Sequence, residues 1–401
     1  MDIFVARQPI FNKNLKTFGY ELLFRGGLDN LFPNIDGDTA SSAVLSNSFL
    51  DIGIERLTGG KKAFVNFTRD LLIKQVPCLF SSEILFPEVL ENIAPDAEVM
   101  AAITAMIRKG YKFALDDFVF SEEMAPLIQK AAVIKIDVRI TALKEAKKLI
   151  DRLSGQPIRF LAEKVETHEE FKEALRIGFS YFQGYFFSKP EIIQRRGVTP
   201  SKMKLLQIIG EANREDADVN RLEDLIKPDL SLSYRFLQYM NSAFFNRPRK
   251  ITSIKEAILL LGLSEVRKLV TLIAASKLAE SKPDELIRSS IMRAKFCELA
   301  GELSGYPGEK SELFLLGLFS QMDAILDQEL AQIIGELPLS PLLKSALVKE
   351  EGDLGCYLKL VRNYERGLWE NCREFDGTCQ SVNMTVEKYL EAVGWADAFS
   401  S

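Results

Sequence analysis

The sequence predicts an α/β domain followed by an all-α domain. Short apolar runs rich in β-branched and aromatic residues alternate with helical patterns over residues 1–190. Beyond about residue 200 the strand signal disappears and only helical spacing remains. Strands that alternate with helices are typical of a parallel α/β sheet or barrel. We therefore expect two domains of different class in this chain of 401 residues.

Seven apolar runs in the first half each end in, or just before, an acidic or amide side chain. Such runs, bounded by polar stretches, are typical of buried parallel strands. We expect them to close into a TIM-like (β/α) barrel with brief helices and loops, since such barrels usually need ~250 residues. The runs and their polar residues are FGYELLFR (Glu21), KAFVNF (Asn66), EILFPEVL (Glu88), KFALDD (Asp116, Asp117), VIKID (Lys135, Asp137), IRFLAE (Glu163) and FSYFQGY (Gln183).

The C-terminal ends of parallel barrel strands converge on one face, where active sites of this architecture lie. The carboxylate and amide groups gathered there are hard oxygen ligands, which suit Mg²⁺ or Mn²⁺ acting on a phosphate. Two such cations would activate a water and relieve charge during phosphodiester hydrolysis. Asp116 and Asp117 can bridge such ions, although aspartates at this position also cap a following segment. Lys135 in a buried strand is harder to explain structurally, because unpaired buried lysines are costly.

The composition is ordinary for a globular protein, with 47% hydrophobic and 27% charged residues. A net charge of −5 argues against binding to a nucleic-acid polymer, which depends on clustered Lys and Arg. No apolar stretch reaches the roughly 20 residues that span a bilayer, and the first residues lack a secretory signal pattern. Five irregularly spaced cysteines favour reduced thiols. We therefore expect a cytoplasmic protein without a membrane partner.

The pattern changes at residues 188–202, which carry prolines, a glycine and several basic residues and are typical of a linker. Helix start and stop signals follow at Asp229, Gly262 and Asp284. We place a barrel at 1–192 and a helical domain at 198–401, with its core at about 198–330 and a C-terminal helical extension.

Eight short motifs occur in a fixed order along the first half. They are QPI (8–10), ELLFR (21–25), Asn66, E-x-x-E (88–91), DDF (116–118), KID (135–137), AEKVET (162–167) and QGYFFSKP (183–190). Each is weak alone, but their order resembles the EAL domain, the family of cyclic-di-GMP phosphodiesterases. The resemblance implies a barrel that opens cyclic di-GMP to the linear dinucleotide pGpG with two divalent cations, Mg²⁺ or Mn²⁺.

The resemblance also implies roles for residues at matching positions. These are metal ligation by Glu21, Asn66, Glu88, Asp116 and Asp117; catalysis by Glu163 as general base and Lys135 as its electrostatic partner; substrate contact by Arg25 and Gln183; and support from outside the ligand shell by Glu91, Asp137 and Glu166. The planar guanidinium of Arg25 suits a bidentate phosphate contact.

Three positions depart from the family pattern. Leu22 replaces a small residue, and Lys164 follows the implied base where the family has glycine. The glycine- and serine-rich loop that usually follows DDF is replaced by residues 119–123, which argues against conventional regulation. The ligand set argues for catalysis, and we favour retained activity.

The second half resembles an HDOD domain in NSAFF (241–245) and ITSIKEAILLLG (251–262). HDOD domains are relatives of HD-type metal phosphohydrolases, whose centres need histidine ligands. The chain has one histidine, His168, in its first half, and Ser320 and Gln321 stand where a His-Asp pair would lie. We therefore expect a binding or regulatory module there, not a second enzyme. Arg247, Arg249 and Lys250 form a weak candidate contact surface.

Together these features predict a bacterial signal-transduction protein with an EAL-type phosphodiesterase and an HDOD domain that regulates it or binds a signalling protein. A degenerate EAL domain that binds cyclic di-GMP as a sensor or scaffold, without turnover, is the alternative. A homodimer is left open.

Overall fold

The computed structural model describes residues 4–25, 53–189, 200–214, 216–241, 251, 253–308, 310–368, 370–372 and 386–400. The chain divides into two compact units. The first takes in Met1–Phe187, Glu365–Gly367 and Thr385–Leu390, and the second takes in Ser188–Tyr364, Leu368–Met384 and Glu391–Ser401.

The first unit contains a closed barrel of eight strands in chain order. The strands are β1 (Phe4–Asn12), β2 (Thr17–Arg25), β3 (Lys62–Phe67), β4 (Leu85–Val89), β5 (Phe113–Leu115), β6 (Ala131–Asp137), β7 (Arg159–Glu163) and β8 (Tyr181–Gln183). Pairing is parallel from β2 through β8, whereas β1 pairs antiparallel with both β2 and β8. This confirms the predicted TIM-like barrel and adds β1, which was not among the seven predicted runs.

An apolar layer fills the barrel interior, consisting of Ile10, Phe64, Phe86, Ala114, Val133 and Leu161, with Phe18 and Tyr181 packed against it. The rings of Phe64 and Phe86 stack with centroids 4.7 Å apart, and Phe18 stacks on Tyr181 at 4.3 Å. Side chains two residues apart on a strand point to the same side. The residue two places further along each parallel strand therefore also points inward, one layer closer to the mouth.

Short helices alternate with these strands. They are α1 (Ile54–Thr58), α2 (Arg69–Ile73), α3 (Ala97–Arg108), α4 (Ala125–Ile128), α5 (Leu143–Arg152) and α6 (His168–Ile177), with 3₁₀ turns at Val76–Leu79, Glu122–Met124 and Tyr185–Ser188. Asp96 caps α3 by accepting hydrogen bonds from two backbone N–H groups, and Thr167 caps α6. Only glycine fits at position 184, because a Cβ there would lie 2.1 Å from the carbonyl oxygen of Val165.

The second unit is helical throughout its described part. Its helices are α7 (Pro200–Ala212), α8 (Val219–Ile226), α9 (Leu230–Met240), α10 (Ile254–Leu261), α11 (Leu263–Leu278), α12 (Asp284–Ser304), α13 (Lys310–Phe319), α14 (Met322–Leu326), α15 (Leu330–Glu336), α16 (Pro341–Lys349) and α17 (Gly352–Glu365), while α18 (Val386–Ser400) lies in part in each unit. The predicted signals hold: Asp229 caps α9, Gly262 follows α10 and α12 begins at Asp284.

The longest of these helices, α12, is largely buried. It packs closely on α13 at Gly317, where a Cβ would lie 2.3 Å from the carbonyl oxygen of Arg293. None of the helices that the structure describes is both long and apolar enough to cross a membrane. Cys78, Cys297 and Cys372 form no disulfide, as expected, but Cys356 is disulfide-bonded, which corrects the expectation of reduced cysteines throughout.

Candidate metal and catalytic site

A polar layer lies above the apolar layer at the barrel mouth. Asn66, Glu88, Asp116, Lys135, Glu163 and Gln183 each follow by two residues an apolar side chain of the interior. All six are buried. Asp116 lies just beyond β5, but its N–H still bonds to the carbonyl oxygen of Val89, which continues the strand pairing by one residue. Because side chains alternate along a strand, these six all point into the barrel mouth. This is the convergence that the sequence predicted for the ends of the strands.

Lys135 lies at the centre of this layer with its side chain fully buried. Its Nζ atom is 2.6 Å from Oδ1 of Asp116 and 2.8 Å from Oε1 of Glu88. The same atom is 3.0 Å from Oε1 of Glu163 and 3.3 Å from Oε1 of Glu21. None of the four contacts has hydrogen-bond geometry. One ammonium thus faces four carboxyl groups, which answers why a buried strand carries a lysine.

The cluster holds more carboxyl groups than its one ammonium can neutralise, and the raised pKa values of two of the carboxyl groups reflect this excess. Burial raises the pKa of Glu88 well above its ordinary value, although the attraction of Lys135 opposes the shift. Burial likewise raises the pKa of Glu163 to about 8, against the same opposing attraction. Burial disfavours the charge on Lys135, but the surrounding carboxylates outweigh it and raise the pKa of the lysine. A further cation at this place would be stabilised.

Two amide side chains complete the layer. The amide group of Asn66 faces Oδ2 of Asp116 and Oε2 of Glu88, and with its nitrogen turned toward them it donates to both at 3.2 Å. A cation among these groups would favour the opposite amide orientation. Gln183 donates from Nε2 to Oε2 of Glu21 at 2.5 Å and to Oε1 of Gln8 at 3.0 Å. Sequence reasoning missed Gln8, although the QPI motif carries it and the β1–β2 register sets it opposite Glu21.

The residues present fit a divalent cation. Glu21, Glu88 and Asp116 offer oxygen atoms within 4.8 Å of one another, the one group of three or more possible metal ligands in the described part of the chain. Oε1 of Glu88 and Oδ1 of Asp116 are buried and accept no hydrogen bond. Carboxylate and amide oxygens are the donors that Mg²⁺ and Mn²⁺ prefer. Lys135 Nζ contacts these same oxygens, so its ammonium and a bound metal ion would both contact the same carboxylate oxygens.

A second acidic group lies beside the first. Asp117 has a φ of +40°, so its backbone has left the strand, and burial followed by repulsion from Asp116 raises its pKa. Asp137 is 4% exposed; its Oδ1 accepts a hydrogen bond from the N–H of Arg139 at 2.7 Å, and its Oδ2 pairs with Lys164. Asp117 is not among the three grouped ligands, and its role as a metal ligand stays a prediction.

The other predicted residues lie elsewhere. Glu91 and Glu166 are exposed, so the structure does not bring them into the cluster, and their supporting roles stay predictions. The side chain of Arg25 lies outside the described residues, as do most of the NSAFF motif (242–245) and the basic residues Arg247, Arg249 and Lys250. Thr167 caps α6, and His168 is the first residue of that helix.

The raised pKa of Glu163 predicts a pH dependence of stability in the metal-free protein. The folded-state pKa of about 8 exceeds the ordinary 4.5. The contribution of the protonated carboxyl to the free energy of unfolding is therefore fully present below pH 4.5 and is lost as the pH rises through about 8. Glu163→Gln removes the titration. Its stability relative to the wild type should rise by on the order of 3 kcal/mol between pH 5 and 9 in EDTA.

Urea unfolding of the barrel at pH 5, 7 and 9 measures this difference. Saturating Mn²⁺ should shrink it, since a cation favours the ionised carboxylate. A difference that stays constant with pH would show that Glu163 titrates normally.

In the helical unit, the place expected for a His-Asp pair holds a buried hydrogen-bond network. Oε1 of Gln321 accepts hydrogen bonds from the hydroxyls of Ser289 and Ser290, each at 2.9 Å. Arg293 donates from Nη1 to Oγ of Ser320 at 3.2 Å. Side-chain hydrogen bonds thus join α12 to the two residues that follow α13.

With this geometry established, comparison with known proteins identifies the family. A family model described as EAL domain matches residues 48–190, and one described as HDOD domain matches residues 200–332. The chain is 36% identical to the uncharacterized protein YuxH of Bacillus subtilis, over 98% of each chain. It is also 36% identical to the cyclic di-GMP phosphodiesterase CdgJ of Vibrio cholerae, over 98% of this chain and 92% of CdgJ.

The chain therefore belongs to the family of signalling proteins that carry an EAL domain followed by an HDOD domain, which confirms the YuxH-like family predicted from the motifs. Among solved structures, the Bacillus subtilis YkuI protein, with an EAL domain in complex with cyclic di-GMP and calcium, is 20% identical. That match covers 65% of this chain and 73% of YkuI, with a TM-score of 0.38.

Proposed function

We propose that the barrel hydrolyses cyclic di-GMP to linear pGpG with a divalent cation held by Glu21, Asn66, Glu88 and Asp116. The observation that carries this proposal is the buried layer in which four carboxyl groups face one ammonium. The 36% identity to CdgJ, a cyclic di-GMP phosphodiesterase, supports the same substrate. When bound, Mg²⁺ or Mn²⁺ would lower the pKa of a water and neutralise charge on the phosphate.

Glu163 is the general base in this proposal. Its Oε1 faces Lys135, whereas its Oε2 is buried and accepts no hydrogen bond, which leaves one oxygen able to take a proton from the attacking water. A pKa of about 8 favours proton transfer near neutral pH, because the best catalytic base has a pKa close to the working pH.

Lys135 and Gln183 support the general base and one of the metal ligands, respectively. The Lys135 ammonium stabilises the ionised form of Glu163 and offers positive charge for a phosphate oxygen during the reaction. Gln183 holds Oε2 of Glu21 by a hydrogen bond and so fixes the orientation of that ligand. Arg25, at the end of β2, is assigned to the substrate phosphate by its motif.

A product assay tests the proposal. Purified protein incubated with cyclic di-GMP and Mn²⁺ should yield pGpG, separable by chromatography, and EDTA should stop the reaction. Loss of the cation removes both water activation and charge relief, so we expect turnover without metal to fall at least ~100-fold. Absence of pGpG at high enzyme concentration with Mn²⁺ would refute hydrolysis.

A sensor without turnover is the second candidate, and the segment after Asp117 favours it. A 3₁₀ turn at Glu122–Met124 follows there, and Val119 is exposed. Calorimetry that detects tight binding of cyclic di-GMP without product would decide for the sensor.

For the helical unit we propose a partner-binding or regulatory role. The buried network at Ser320 and Gln321 offers no histidine ligand, and Leu259 on α10 is 86% exposed with Leu260 beside it half exposed. Apolar side chains in water at neighbouring positions are suited to contact with a protein.

A further inference from the structure

Lys164 places a fixed positive charge at the barrel mouth, next to the cluster of Glu21, Glu88 and Asp116. We infer that Lys164 takes the place of a second divalent cation, so that this mouth binds one divalent ion and not the two expected from the sequence. The inference rests on the proposed function, because it assumes that the cluster binds the first ion.

The contacts of Lys164 support this assignment. Its ammonium pairs with Oδ2 of Asp137, whose carboxylate is almost wholly buried. It also lies close enough to Asp117 and Glu163 to interact electrostatically with both. A buried carboxylate is costly unless it is paired with a cation or a metal. The lysine supplies that cation to the acidic residues outside the three grouped ligands.

The backbone holds this lysine in an unfavourable conformation. Lys164 has a φ of +54°, a region that side chains other than glycine adopt only at a cost in free energy. A neighbouring segment of the same chain stabilises this conformation, since Nε of Arg139 donates a hydrogen bond to the carbonyl oxygen of Lys164 at 3.1 Å. Although 58% of the lysine side chain is exposed, its ammonium is not left to solvent but is directed at Asp137.

A second divalent ion needs uncompensated oxygen donors within a few ångströms of the first. Asp137 is paired with the Lys164 ammonium, and Asp117 interacts electrostatically with the same lysine. A divalent ion placed there would be repelled by the lysine and would have to displace it from Asp137. The two acidic groups of the mouth therefore differ: in the deep one a single ammonium, that of Lys135, faces four carboxyl groups, whereas in the outer one Lys164 pairs with Asp137.

Manganese binding without nucleotide tests the inference on the full-length chain. Calorimetry should give one Mn²⁺ per wild-type chain, and electron paramagnetic resonance should show an isolated ion. Lys164→Met keeps the length of the side chain but removes the charge, and it should bind two ions whose spins are coupled. Lys164→Arg keeps the charge and should bind one. Lys147→Met, which breaks the exposed pair with Asp151, is the matched control and should also bind one.

The outcomes separate this inference from the proposed function. Two coupled ions in the wild type, one ion in Lys164→Met, or two ions in Lys164→Arg would each overturn the role of Lys164. A wild type that binds no Mn²⁺ would overturn the metal site of the proposed function itself. Glu21→Ala should lose the first ion, which marks the deep group as its site.

Discussion

Glu163→Gln should reduce hydrolysis of cyclic di-GMP by roughly 10²- to 10⁴-fold, the usual contribution of a positioned general base. Glutamine keeps the size of the side chain and can still lie beside Lys135, but its amide cannot take a proton from water. Glu21, Glu88 and Asp116 are unchanged, so Mn²⁺ and cyclic di-GMP should still bind. Steady-state product formation and calorimetry on the same preparation separate the two effects.

Glu169→Gln is the matched control for this experiment. Glu169 is exposed in the first turn of α6, and the same chemical change there should leave turnover within about twofold of the wild type. Turnover by Glu163→Gln at the wild-type rate would show that another group, or the metal alone, activates the water.

Lys135→Met should lower the stability of the metal-free barrel by about 3–5 kcal/mol, the range for breaking a buried ion pair by removing one partner. Methionine fills similar space, so the loss arises mainly from the carboxyl groups left without their ammonium. Uptake of protons by Glu88 and Glu163, whose pKa values are already raised, would limit this loss of stability. Urea unfolding in EDTA measures the change in the free energy of unfolding.

Added Mn²⁺ should restore a large part of this loss, because a bound cation replaces the missing charge and stabilises the folded state by mass action. Lys147→Met, on the barrel surface, should change stability by less than about 1 kcal/mol and should not respond to Mn²⁺. Equal stability of Lys135→Met and the wild type in EDTA would mean that the carboxyl groups are protonated and do not need the lysine.

The fold and most of the site could be predicted from the sequence because both follow from the period of a strand. An inward apolar residue such as Phe86 sets the direction of Glu88 two places later, and the same applies to Val133 and Lys135. The distinction between Asp116 and Asp117 could not be predicted, since it depends on where β5 ends and on a positive φ.

Contacts between segments that are distant in the chain also could not be predicted from the sequence. β1 was not among the seven predicted strands, and so Gln8 was not placed in the site, although it accepts a hydrogen bond from Gln183. The pairing of Lys164 with Asp137 needs β6 and β7 side by side. Sequence spacing sets neither the pairing nor the direction of the lysine.

The position of β1 between β2 and β8 has a consequence for synthesis of the chain on the ribosome. The first strand made closes the barrel only against the last one, and Glu21 meets Gln183 at a sequence separation of 162 residues. Protein domains emerge at about 5–20 residues per second, so a nascent chain spends seconds with this ring open. During that interval the ligands are not yet gathered, and a metal ion in the cell finds no finished site to occupy.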